Sequence, residues 1–76
     1  MNIEEMLIKL PNLDWRHKIT TKDIMYIPSL YRNTNGTWCL EYIGEFEGGT
    51  ALALEFNGKT PSEAVTKAYN YLYNIL

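Results

Sequence analysis

The feature that most constrains this chain is a run of alternating residues from about 24 to 56, broken by two glycine-centred turns. Asn35-Gly36 lies between Thr34 and Thr37, with Tyr31 and Trp38 beyond them. An Asn-Gly pair between alternating segments is the strongest short-range hairpin signal, because a type I′ turn needs positive φ at both centres. A two-residue turn there pairs Tyr31 with Leu40 and Ser29 with Tyr42. The expected strands are 24 to 32, 37 to 43 and 50 to 56. Pro28 removes a ladder donor from the first and predicts an edge position or a bulge there.

The second turn is tested by register, since a slip of one residue moves every side chain to the other face. A two-residue Gly48-Gly49 turn puts Glu41 and Glu45 on the same face as Leu52 and Leu54. A three-residue loop of Glu47, Gly48 and Gly49 pairs Tyr42 with Leu54 and Leu40 with Phe56, with Gly49 left-handed in a bulge. The second arrangement assembles Trp38, Leu40, Tyr42, Leu52, Leu54 and Phe56 into one apolar face and is the one expected. Residues 15 to 20 also alternate, Trp15, His17 and Ile19 against Arg16, Lys18 and Thr20, and offer a fourth strand.

Helices flank this meander. Thr60, Pro61 and Glu63 read as an N-cap, a first-turn proline and a glutamate that reaches back to the cap's own N–H. At 100° per residue, Ala64, Val65, Ala68, Leu72, Ile75 and Leu76 fall within an arc of about 120°. Thr66, Lys67, Asn70 and Asn74 lie opposite, Tyr69 and Tyr71 at the arc's edges, and Tyr73 away from it. At the other end Asn2 and Glu5 cap a short helix over 3 to 10, with Ile3, Met6, Leu7 and Leu10 on one stripe and Pro11 as its stop. The expected fold is a single α+β domain over residues 1 to 76, α-β-β-β-α, with an antiparallel sheet of three to four strands packed against two helices. The helices share one face, or they sandwich the sheet if Cys39, Ile43 and Ala53 are also covered.

With 76 residues, 46% of them hydrophobic, the chain suits one small core. No run approaches the roughly 18 to 20 apolar residues of a membrane span, and the first thirty residues lack a secretory pattern. A lone Cys39 makes no internal disulfide, so a reducing compartment, the cytoplasm, is expected. Gly58-Lys59-Thr60 suggests a phosphate loop, but that motif needs glycine where Ala53 stands, and a capped strand-to-helix turn accounts for the same residues. His17 and Cys39 fall short of a zinc ligand set, and no nucleophile has a base beside it. No catalytic residue, metal or cofactor is therefore assigned. Cys39 is read as a small buried hydrophobe.

Charge says more than motif. The net charge of −2 conceals a stretch 15 to 38 with Arg16, Lys18, Lys22 and Arg32 against Asp23, followed by 39 to 57 with Glu41, Glu45, Glu47 and Glu55 and no cation. Apart from two ordinary solvated faces, this split suits an electrostatically steered protein contact or association of opposite patches in a homo-oligomer. The candidate partner-binding residues are Trp15, Arg16, Lys18, Tyr31 and Arg32 on one surface, and Glu41, Glu45, Glu47 and Glu55 on the other. Nucleic-acid binding is the alternative, from the interleaved aromatics and cations around Trp15 and Tyr31, against an acidic overall balance.

Two resemblances add to this. The helix, three-strand, helix order is similar to the double-stranded-RNA-binding domain, although the start of the last helix, Thr60 to Ala64, carries an acid where that family has a lysine cluster. The segment Trp38 to Leu76, with Asn57-Gly58-Lys59-Thr60-Pro61-Ser62-Glu63-Ala64-Val65 at its centre, resembles small phage and prophage proteins of the phage ABA sandwich type and, more loosely, HicB-type antitoxins. Leu10-Pro11-Asn12-Leu13-Asp14-Trp15-Arg16 resembles the opening of such proteins. That likeness implies a small non-enzymatic binding protein, an inhibitor or modulator of a host protein, with no catalytic residues.

Overall fold

Capping starts both helices in the computed structural model, which describes residues 2–19 and 21–75, the last by its backbone alone. α1 spans Ile3–Lys9; its Glu5 N–H donates to Asn2 Oδ1 at 2.8 Å, and the chain turns out of the helix at Leu10. α2 spans Pro61–Ile75, and its Glu63 N–H donates to Thr60 Oγ1 at 3.1 Å. Glu63 reaches one residue further back than a capping box does, accepting from the Lys59 N–H at 3.3 Å. Between the helices run β1 (Leu13–Arg16), β2 (Asp23–Arg32), β3 (Trp38–Phe46) and β4 (Gly49–Gly58), antiparallel and in sheet order β1-β2-β3-β4.

The fourth strand exists, but it is Leu13–Arg16, two residues earlier than the alternation of 15 to 20 suggests. Lys18 and Ile19 lie in a turn beyond it, where the His17 N–H donates to Lys22 O at 2.8 Å and the Thr21 N–H to His17 O at 3.0 Å. Thr20 lies outside the described residues. Closing this turn puts Thr21 at φ +59°, a left-handed conformation that a β-branched residue enters only under constraint.

Both hairpins correct the expected pairing. The Asn35-Gly36 hairpin has three loop residues, with Asn33 N–H donating to Thr37 O at 2.7 Å, Gly36 N–H to Asn33 O at 3.0 Å, and only Gly36 at positive φ (+90°). Tyr31 therefore pairs with Cys39 and Ser29 with Glu41, while Leu30 faces Leu40. In the other hairpin Leu40 does pair with Phe56 and Tyr42 with Leu54, but Phe46 pairs with Gly49 across a two-residue Glu47-Gly48 turn. The extra residue is Ala53, bulged where the register steps from Tyr42/Leu54 to Ile43/Leu52. Gly49 takes φ +142° as the first residue of β4 rather than within a bulge. Leu52 consequently leaves the core face, and Ala51 and Phe46 pack there instead.

The sheet is a curled half-barrel because β2 changes partner along its length. Asp23 to Tyr26 pair with β1, whereas Ile27 to Arg32 pair with β3. Gly44 permits the bend: a Cβ there would stand 2.6 Å from Ile24 Cγ2 and 2.8 Å from the Met25 carbonyl oxygen. Pro28 fits the same geometry, since the pairing of β2 with β1 ends at Leu13–Tyr26 and leaves that edge of β2 open beside Pro28.

Both helices cover the same, inner face, where Leu40, Tyr42, Ala64, Val65, Ala68 and Leu72 are fully buried. The Tyr42 hydroxyl, the one polar tip on that buried ring, donates to Pro11 O at 2.7 Å and ties the sheet to the end of α1. α1 docks on α2, so Thr66, expected in solvent, is half-buried with its hydroxyl 3.9 Å from Met6 Sδ. Tyr73 likewise serves the fold: it stacks on Tyr69 with ring centroids 4.3 Å apart and donates to Lys9 O at 2.9 Å. The side chains of Ile75 and Leu76, expected in the same arc as Leu72, lie outside the described residues.

Candidate functional site

Strand alternation sends every other residue to the outer face, which no helix covers. On β2 these are Asp23, Met25, Ile27, Ser29 and Tyr31; on β3 Cys39, Glu41, Ile43 and Glu45; on β4 Thr50, Leu52, Glu55 and Asn57. Leu52, Met25 and Ile27 keep 53%, 51% and 49% of their surface in contact with solvent, and Ile43 lies half-buried between them. Where β2 bends away from β3, a groove of about 390 Å³ opens on this face, lined by Met25, Ile27, Ile43, Gly44 and Glu45.

Beside the aliphatic stripe the carboxylates are held in place. Glu41 and Glu55 stand directly opposite each other, an unfavourable pairing of like charges. Each takes a neutral donor: the Tyr31 hydroxyl donates to Glu41 Oε1, and Asn57 Nδ2 donates to Glu55 Oε1 at 3.0 Å. The hydrogen bond to Glu41 raises the Tyr31 phenol well above its usual range, so it stays a donor at any physiological pH. Cys39, with its Sγ 3.9 Å from the same Glu41 oxygen, is shut off from solvent, and burial pushes its thiol pKa up. That environment suppresses the thiolate and suits a packing role.

The expected basic surface is not assembled as one patch. Trp15 is half-buried on the inner face with its ring 6.4 Å from that of Tyr26, and Arg16 points outward with Nε donating to Thr21 O at 2.9 Å. Lys18 sits in the β1–β2 turn. Tyr31 and Arg32 lie at the far end of β2, roughly 25 Å along the strand from Ile24, the partner of Trp15. Tyr31 joins the acidic residues instead, and Arg32 is an exposed residue opposite Trp38. Trp15, Arg16, His17, Lys18 and Ile19 do share a groove with Tyr26, Leu52 and Ala53 at the mouth of the half-barrel. Its three rings are already engaged there: Trp15 and Tyr26 against each other, and His17 against Phe46 at 4.9 Å.

Of the acidic residues, Glu41, Glu45 and Glu55 do share the outer face, whereas Glu47 sits at the tip of the β3–β4 turn. A cleft of about 530 Å³ runs beside that tip and is lined by Lys22 and Asp23 as well as Glu45 and Glu47. The basic and acidic stretches of the sequence therefore meet there rather than forming separate faces. The residues that charge patterning missed are Met25, Ile27 and Leu52, which the two register differences turn outward, and Ile43, which the expected register already set opposite the core face.

Among the described residues no group of three His, Cys, Asp or Glu could hold a metal ion, and no helix is long and apolar enough to cross a membrane. No protein-family model matches the chain, and neither curated proteins nor solved structures give a match. The likeness to phage and HicB-type proteins rests on the residues quoted for it alone.

Proposed function

We propose that this chain is a non-enzymatic protein-binding module whose contact surface is the outer face of the sheet. The observation that carries the reading is that Met25 and Ile27, which line the outer groove, are each about half exposed on a face without a covering layer, with Leu52 exposed opposite Ile43 where it also borders the groove at the mouth of the half-barrel. Contiguous apolar surface on a small domain marks a place where another protein sits. The strand edges are poorer candidates. Pro28 interrupts the open edge of β2, and the Ala53 bulge breaks the regular ladder of β4, both features that discourage strand addition. Binding requires no rearrangement of this face, because Tyr31 and Asn57 already fix the flanking carboxylates.

The test is affinity capture with the wild type and with Ile27→Ser and Leu52→Ser variants, both substitutions at half-exposed positions that leave the core intact. Proteins retained by the wild type are expected to be lost from both variants while the far-ultraviolet circular dichroism is unchanged. Equal retention by all three proteins refutes the assignment of the face.

A further inference from the structure

Taking the outer face as the contact surface, we infer that its occupant is a cationic amphipathic segment of another protein. Such a segment inserts an apolar side chain between β2 and β3 and sets Lys or Arg against Glu41, Glu45 and Glu55.

The groove supplies the apolar half of the argument. It exists because β2 leaves β3 to pair with β1, and its walls are Met25, Ile27 and Ile43, with Gly44 beneath and Glu45 at the rim. An anchor side chain entering it meets aliphatic walls within reach of one carboxylate. Charge supplies the other half. The outward positions of β2, β3 and β4 hold Asp23, Glu41, Glu45 and Glu55 and neither Lys nor Arg; β1 adds Asp14 and Arg16, the latter opposite Asp23, so the face keeps its acidic excess at Glu41, Glu45 and Glu55. An acidic partner or a nucleic-acid backbone is repelled by this face, and a two-fold contact with a second copy would bring together two faces that both carry the acidic excess. A cation is the complement that relieves the Glu41–Glu55 opposition, and each carboxylate keeps acceptor capacity beyond its neutral donors, Tyr31 and the Cys39 thiol at Glu41 and Asn57 at Glu55.

The experiment selects peptides from a random display library on the immobilised full chain and measures the enriched peptides by fluorescence anisotropy. The proteins compared are the wild type, Ile27→Ser, and the triple variant Glu41→Gln, Glu45→Gln, Glu55→Gln. The expected peptides combine a large apolar residue with two or more Lys or Arg. Their affinity falls about tenfold with Ile27→Ser. It falls roughly three- to tenfold with the triple variant, or on raising salt in the wild type. Peptides that need Ile27 but are neutral or acidic, and indifferent to salt, overturn the cationic assignment while leaving the face as the binding surface. Peptides that bind wild type, Ile27→Ser and Leu52→Ser alike overturn the face itself. No enrichment, or a wild-type dimer in sedimentation that Ile27→Ser dissolves, overturns the inference in favour of a different occupant. Circular dichroism establishes that each variant is folded, and Leu52→Ser replaces Ile27→Ser if the latter is not.

Discussion

The bend of β2 over Gly44 can be tested by a single methyl group. In Gly44→Ala the new Cβ stands 2.6 Å from Ile24 Cγ2, 2.8 Å from Met25 O and 3.2 Å from Tyr26 Cδ1. Contacts between carbon atoms are comfortable at about 3.5–4.0 Å, so β2 must retreat by about 1 Å. Ile24 can turn away, but the Met25 carbonyl is backbone and moves only with the strand. Overpacking of this kind costs about 1–3 kcal/mol. Against it, the glycine lies in ordinary strand backbone, and its replacement stiffens the unfolded chain by about 0.4–1 kcal/mol. The net loss is about 1–2 kcal/mol, which in a domain of this size lowers Tm by roughly 5–15 °C. Thermal and urea unfolding followed by circular dichroism give the size of the effect. Amide chemical shifts give its place, with the largest changes at 23 to 27 and 43 to 46. A Tm equal to or above that of the wild type, with those resonances unmoved, would refute the close approach and with it the origin of the outer groove.

Two further substitutions probe the tie to α1 and the β1–β2 turn. Burial, with a smaller contribution from the nearby Tyr73, pushes the Tyr42 phenol up to about 12 from its ordinary 10. Its folded pKa is raised, so its contribution is fully present below pH 10 and is lost as pH rises toward 12. Tyr42→Phe should lose about 1 kcal/mol at neutral pH, from the missing hydrogen bond to Pro11 O, and show a shallower fall in stability over that alkaline window; parallel curves would contradict the burial argument. Thr21→Gly relieves a left-handed β-branched residue that costs about 1–2 kcal/mol, part of which returns as the greater unfolded-state freedom of glycine. A gain of about 0.5 kcal/mol in urea denaturation is expected, and a loss would mean that the threonine side chain holds the turn.

What could be read from the residues and what could not divide along a physical line. The two helix starts were legible because a cap is local: Asn2 with Glu5 and Thr60 with Glu63 meet within one turn whatever the rest of the chain does. The site of the Asn35-Gly36 turn was legible for the same reason, but its register was not. Asn-Gly serves a two-residue loop or a three-residue loop with only the glycine at positive φ, and the choice falls to whichever face of β2 is buried. Here β2 has apolar residues on both faces, Ile24, Tyr26 and Leu30 inside and Met25, Ile27 and Tyr31 outside, so alternation does not decide it. Likewise, moving the extra residue of β4 from Gly49 to Ala53 leaves Tyr42 opposite Leu54 but turns Leu52 outward, and nothing local favours either position. The candidate site inherits this division: Glu41, Glu45 and Glu55 were found from charge alone, while the aliphatic residues between them depend on long-range register. Thr66 is half-buried against helical periodicity because the docking of α1 on α2 is a tertiary event that periodicity does not encode, while Tyr73 stays exposed as expected and gains from the same docking its hydrogen bond to Lys9 O.

The opposition of Glu41 and Glu55 is the feature that stability alone least accounts for. A sheet selected only to fold gains by separating like charges across a strand pair, since the pairing loses a few tenths of a kcal/mol or more. Tyr31 and Asn57 moderate the repulsion with neutral donors without removing it, because a hydroxyl and an amide bring no compensating charge. The same two bonds restrict the carboxylates, so an incoming guanidinium or ammonium meets acceptors already oriented and loses less to their ordering. The aliphatic stripe then supplies the desolvation that exposed ion pairs lack, since a contact at half-exposed Ile27 and Leu52 excludes water beside Glu45 and Glu55. Apolar stripe and acidic rim are each weak as binding determinants. Side by side on one sheet they reinforce each other, and under the proposed reading partner selection depends on both a cation and an anchor.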